Sequence, residues 1–155
     1  MHPEFAKLIE SLEPKFQALI SMVPVTYATL PGEIPHRGIY LFSEGANNLH
    51  AGRTNRLRQR LRGHCVMSAS HFSATLAFRI ARKKTGKTKA SYGKSGSRPD
   101  LLNDPTFALA FEEAKRRIIA MDLRYVEESD PTRQALLEIY AATLLDTSYN
   151  DFENH

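Results

Sequence analysis

Residues 38–64 read GIYLFSEGANNLHAGRTNRLRQRLRGH and hold a phenol, two imidazoles and five arginines at intervals that a surface helix does not require. Arg60 and His64 are four apart and share one face of any helix, with Arg56 one turn earlier and Leu57 and Leu61 on the adjoining apolar stripe. With Tyr40 on a first strand and His50 on a second, a hairpin running straight into that helix brings the four side chains together. Such a set suits phosphate-ester chemistry: bases to take a proton from water, and a forked cation to hold phosphate oxygens. It lacks a metal ligand. In ALLEIYAATLL, residues 135–145, Glu138 is the one charged side chain. A carboxylate inside an apolar run calls for a partner, either a basic side chain in a structural salt bridge or a divalent cation.

The elements that must position these groups follow from periodicity. Phe5, Leu8, Ile9, Leu12, Phe16, Leu19 and Ile20 recur at three- and four-residue spacing, which predicts an amphipathic helix over residues 4–21 that packs on the domain or forms a dimer contact. Pro24, Pro31 and Pro35 mark an extended connection. Residues 37–43 and 48–52 read as a hairpin around Glu44-Gly45-Ala46-Asn47-Asn48, followed by a helix with Thr54 as its N-cap. Residues 73–84 suit a short helix better than a strand, and residues 85–99, TGKTKASYGKSGSRP, have loop composition, with mobility expected in the absence of a ligand. Asp104-Pro105 opens a helix reaching Ile119, residues 122–127 alternate as a half-buried strand, and Asp130-Pro131 opens a last helix reaching Leu145. The expected fold is α+β, with a small antiparallel sheet of about three strands flanked by helices.

Length and charge set the class. The 155 residues suffice for one domain with a real core, and 42% hydrophobic with 25% charged residues excludes disordered and collagen-like chains. The formal charge is only +4, but no Asp or Glu occurs from Arg53 to Pro99, a stretch holding 13 of the 21 basic side chains. Such a block attracts polyanions, nucleic acid above all; the competing reading is a solvated face that keeps the protein soluble. A single cysteine, Cys65, rules out an internal disulfide and fits a reducing cytoplasm. No apolar run reaches the 18 residues of a membrane span, and Glu4, Glu10 and Glu13 are unlike a signal peptide, so the chain is expected to be soluble and cytoplasmic. Gly86-Lys87-Thr88 and Gly93-Lys94-Ser95 resemble the end of a P-loop, but the glycine required upstream is Ala81 in one case and Thr88 in the other. His64, Cys65 and His71 lack the fourth ligand and the spacing of a zinc site.

These residues resemble the signature of the GIY-YIG nucleases. Gly38-Ile39-Tyr40 stands for the first motif and His50-Ala51-Gly52 for the second, with histidine where the family usually has tyrosine. Arg60 follows His50 by ten residues, His64 comes four later, Thr54 and Asn55 fill the small polar positions, and Asn150 follows Glu138 by 12, as in the excision-repair branch of the family. Tyr149-Asn150 resembles the family's closing pair. The resemblance covers residues 37–64 and about 120–151, and five positions agree at their intervals. It implies hydrolysis of a DNA phosphodiester with one Mg²⁺ or Mn²⁺ held by Glu138, Arg60 on the scissile phosphate, Tyr40 orienting or deprotonating water, His64 assisting and Asn150 bracing the site.

On this reading residues 1–36 are an N-terminal helix and connection, 37–64 the hairpin and catalytic helix, 65–104 a basic insertion, and 105–155 a helix, a strand and the Glu138 helix, all in one domain. The insertion would grip the nucleic-acid backbone through Arg79, Arg82, Lys83, Lys84, Lys87, Lys89 and Lys94, with Arg53 and Arg56 beside it. DNA is the expected partner, with RNA the alternative, for a monomer or homodimer without membrane contact. His50 departs from the pattern: an imidazole takes a proton near neutrality where a phenol does not, so activity either persists with a lower pH optimum or is lost. Two other readings remain, an inactive nucleic-acid-binding module of the same fold and a structural or partner-binding protein using the N-terminal helix.

Overall fold

The computed structural model describes residues 1–87 and 96–152. Lys89, Lys94 and the Gly93-Lys94-Ser95 triplet lie outside the described residues. The chain is α+β, in the order α1 (Pro3–Glu10), α2 (Glu13–Ser21), a 3-10 turn (Tyr27–Thr29), β1 (Gly38–Glu44), β2 (Asn47–Thr54), α3 (Leu57–Cys65), α4 (Thr75–Thr85), α5 (Arg98–Asn103), α6 (Pro105–Ile119), β3 (Asp122–Glu127) and α7 (Pro131–Leu144). No described helix is long and apolar enough to cross a membrane. The chain divides into two compact units, Met1–Arg60 with Met121–Asn150, and Leu61–Ala120 with Asp151–His155.

The first unit contains a three-stranded antiparallel sheet in the order β2-β1-β3. Strand β1 is central, with Tyr40 opposite Gly52 on one side and Tyr125 on the other. Because side chains alternate, Ile39 and Leu41 leave one face and Tyr40 and Phe42 the other. The first face packs with Ala51 against Leu12, Phe16 and Leu19 from α2 and its N-terminal turn, and against Leu137, Ala141 and Ala142 of α7. Each such side chain, fully buried, contributes roughly 1.5–3 kcal/mol for the larger aliphatic and aromatic groups. Gly38 is required by this packing, since a Cβ there would sit 2.0 Å from the Val126 carbonyl oxygen of β3.

The single helix expected over residues 4–21 is instead two, separated at Ser11-Leu12. Pro14 stands in the first turn of α2, has no N–H, and its ring would clash with the carbonyl four residues back, so a helix from α1 cannot run through it. No residue of α1 is buried, and Phe5 remains exposed, so the apolar stripe is shared unequally between the two pieces. Thr54 is likewise not the N-cap of a helix: it ends β2, and its hydroxyl accepts the Arg56 N–H at 3.0 Å, one turn of chain before α3 begins. Leu57 and Leu61 are both fully buried, as the stripe on α3 requires. Asp130 caps α7 by accepting the Arg133 N–H at 2.8 Å, an interaction of about 1 kcal/mol.

In the second unit α4 packs against α6, and α5 packs against α6 as well. Phe78 of α4 meets Phe107 and Phe111 of α6 at ring-centroid distances of 5.1 and 5.8 Å. Lys115 is 3% exposed and is held by several partners: it donates to the Met67 carbonyl at 2.6 Å, pairs with Glu112 at 2.8 Å and lies 4.6 Å from the Phe111 centroid. The end of the segment expected to be loop is helical, because Ser97 accepts the Asp100 N–H and Pro99 occupies the first turn of α5, where a missing N–H costs nothing.

Candidate active site

The first motif and the second interlock through one glycine. Tyr40 lies across β2 at Gly52, where a Cβ would come within 2.3 Å of both Cζ and Oη of the tyrosine. Only glycine lets the ring lie flat over the neighbouring strand, and the phenol is thereby directed to Arg60, whose Nε donates to Tyr40 Oη at 3.3 Å. Tyr40 is 1% exposed, so the guanidinium of the half-buried Arg60 closes over a phenol that is otherwise sealed. His50 stands on the same face of the sheet, opposite Phe42, with its ring 5.9 Å from that of Tyr40 and tilted by 54°. It too is buried.

Asn150 has a definite structural task. Its Oδ1 accepts the Ala51 N–H at 2.8 Å and its Nδ2 donates to the Ala51 carbonyl at 2.7 Å, so one side-chain amide imitates a neighbouring strand. Tyr149 N–H donates to the Leu49 carbonyl at 2.9 Å in the same run. Residues 148–150 thus cover the outer edge of β2 and hold Ala51 between His50 and Gly52. Thr147 donates from its hydroxyl to Asn150 Oδ1 at 2.6 Å and fixes which way the amide faces. Asn150 positions the strand and is distinct in kind from the groups that could touch a substrate.

Glu138 approaches from the other face. Its Oε2 accepts from Arg53 Nε at 3.0 Å, with the two side chains 22% and 49% exposed. The basic partner weighed for this carboxylate is therefore Arg53, which the sequence had assigned to nucleic acid. The two halves of the site are tied to consecutive residues of one edge strand, the Tyr40 ring to Gly52 and the Glu138 carboxylate to Arg53. Among the described residues no group of three or more His, Cys, Asp or Glu side chains is gathered for a metal. A hard cation completed by water and phosphate oxygens needs one carboxylate from the protein, and Glu138 offers an oxygen donor with part of its surface open, so the residues present fit such an ion. Asn55, beside Arg53, accepts from Gln134 Nε2 at 3.2 Å and links the end of β2 to α7.

His64 follows Arg60 by one turn on α3 and is fully buried, so the structure does not present it to solvent. Of the expected phosphate-backbone contacts, Arg53, Arg56, Arg79, Lys83, Lys84 and Lys87 are exposed and Arg82 is partly so. Lys84 pairs with Glu113. Arg82 packs its guanidinium over Phe78 at 5.1 Å. Gly86, the first glycine of the GKT triplet, has φ 73° and its N–H bonds the Lys83 carbonyl; it is the left-handed cap of α4. Sequence reasoning did not single out Phe72 and Arg98, although the acid-free composition around them was its one available signal.

Compared with known proteins, the chain matches no family model, no curated protein and no solved structure.

Proposed function

We propose that this chain is a metal-dependent endonuclease that hydrolyses phosphodiester bonds in DNA, built on the pattern of the GIY-YIG nucleases it resembles. The observation that carries the reading is the Tyr40–Arg60 hydrogen bond over Gly52, because it joins the two motifs and the following helix at one point beside the strand residue that holds Glu138. Arg60 is the phosphate-binding group: its fork exchanges the phenol for phosphate oxygens when a strand is bound, uncovering the Tyr40 hydroxyl to orient the attacking water. His50, its ring 5.9 Å from that of Tyr40, takes the proton released by that water. Glu138 would hold a single Mg²⁺ or Mn²⁺, which would supply electrostatic stabilisation of the charge developing in the reaction. Arg53, exposed beside it, would contact the phosphate backbone. His64, one turn beyond Arg60 on the same helix and fully buried, would assist from behind Arg60.

One observation favours a second reading, an inactive module of the same fold that only binds nucleic acid: the carboxylate that would ligate the metal already has a guanidinium partner. Conversion of supercoiled plasmid to nicked or linear form separates the two. With Mg²⁺ or Mn²⁺ the wild type is expected to cleave, EDTA to stop it, and Glu138→Ala to reduce the rate at least about a hundredfold, the scale on which removal of a charge-stabilising group acts. DNA binding without cleavage anywhere between about pH 6 and 9 would establish the second reading.

A further inference from the structure

The second unit carries a group of side chains that the cleavage chemistry does not use. Phe72 is 73% exposed and stacks against His71, with ring centroids 4.1 Å apart. His71 in turn lies 6.1 Å from Phe78. Over that same Phe78 ring stand two guanidiniums, Arg82 at 5.1 Å and Arg98 at 5.2 Å, so their separation cannot exceed the sum of those distances. Arg98 also donates to the His71 carbonyl at 3.2 Å, which fixes it beside the aromatic pair. No carboxylate among the described residues pairs with Arg98. The like charges are felt: burial, and then Arg98, push the Arg82 guanidinium below its ordinary pKa, and the same two causes lower that of His71. An anion placed at the two guanidiniums would relieve this repulsion.

We infer that Phe72, His71, Arg98 and Arg82 form a binding site for an unpaired nucleotide, the phenyl stacking on the base and the guanidiniums holding its phosphate. The aromatic and the cations must be explained together, and that decides the ligand class. An acidic peptide would satisfy the arginines and leave the phenyl bare. A base-paired duplex would satisfy them too, but it hides its base faces inside the stack, so only an unpaired base can lie on Phe72. Phe72 is 73% exposed even beside His71, which leaves ring surface for the base. The preferred nucleic acid is thus single-stranded, or a duplex with an unpaired segment. The inference rests on the chain's binding nucleic acid and is independent of whether it cleaves it.

The test is fluorescence anisotropy in EDTA with a labelled oligothymidylate and a labelled duplex of equal length, for wild type, Phe72→Leu and Arg98→Ala. Phe72→Leu is expected to weaken single-strand binding about tenfold and duplex binding less than about twofold, the loss expected of one base–aromatic stack. Arg98→Ala is expected to lower the salt slope of single-strand binding by about one. Phe72 is exposed, so the variant keeps the wild-type melting midpoint, and a changed affinity reports the site. Single-strand affinity unchanged by Phe72→Leu would overturn the proposal, as would Phe72-dependent binding of polyglutamate with none of the oligonucleotide. Plasmid nicking by the same variants keeps the two questions apart. A protein that binds single strands through Phe72 but never cleaves loses only the nuclease reading, and one that cleaves yet binds independently of Phe72 loses only this site.

Discussion

A Cβ on Gly52 has nowhere to go while the Tyr40 ring lies where it does, at 2.3 Å from Cζ and Oη. The strand is held on its far side by Asn150, so the ring must give way and swing the phenol out of reach of Arg60. Gly52→Ala is therefore expected to cost about 1–3 kcal/mol of stability, as overpacking does, and to bring cleavage down to the level of Tyr40→Phe, which removes only the hydroxyl. Urea titrations beside plasmid nicking read both quantities. A Gly52→Ala protein with full stability and full cleavage would show that the ring does not depend on this glycine. The pair Tyr40 and Gly52 was legible as two motifs ten or so residues apart; that one is the floor beneath the other follows only from the register that sets them opposite each other.

Among the elements, α3 ends in Cys65, and its burial at 3% exposure pushes the thiol from an ordinary 9.0 up to about 12. The folded protein keeps the proton that the unfolded chain loses, so the stabilisation is complete below about pH 9 and is lost as pH rises towards 12. Denaturation midpoints of the wild type are expected to fall more steeply between about pH 9 and 11 than those of Cys65→Ala, whose side chain has no proton to lose. Parallel curves would refute the burial argument. Iodoacetamide should leave the native thiol unmodified at pH 8, where the reactive thiolate is absent. The helix boundaries show what local sequence can state. Asp104-Pro105 and Asp130-Pro131 start α6 and α7 where their capping chemistry puts them, because a cap is satisfied within three residues. The break between α1 and α2 went unread because the apolar spacing runs on through Pro14, while the proline's missing N–H and ring clash act on the backbone alone.

For the whole molecule, a formal charge of +4 conceals an uneven distribution, since 13 basic side chains fall in a stretch without a single acid, and the proposed DNA binding would draw on that stretch. Exposed Arg79 and Lys83 are expected to contact phosphates, each releasing a counterion. The double variant Arg79→Ala with Lys83→Ala should reduce the slope of log affinity against log salt by about two for any DNA sequence, without changing preference among sequences. An unaltered slope would move the interface elsewhere.

The sequence by itself determined the α+β class, the central hairpin, the strand at residues 122–127, the helices that carry Arg60 and Glu138, and the list of groups able to do phosphate-ester chemistry, because periodicity, caps and turn residues act over a few positions. Tertiary structure decided where those groups are placed. Sheet register laid Tyr40 on Gly52, the bare edge of β2 drew in Asn150, and the opposite face gave Glu138 to Arg53. Burial closed off His64, and the packing of α4 and of α5 on α6 put two guanidiniums on one phenyl ring. The contacts of Tyr40 with Gly52, Arg53 with Glu138 and Ala51 with Asn150 join residues 12, 85 and 99 positions apart, where no local propensity reaches and only the path of the backbone decides which group meets which.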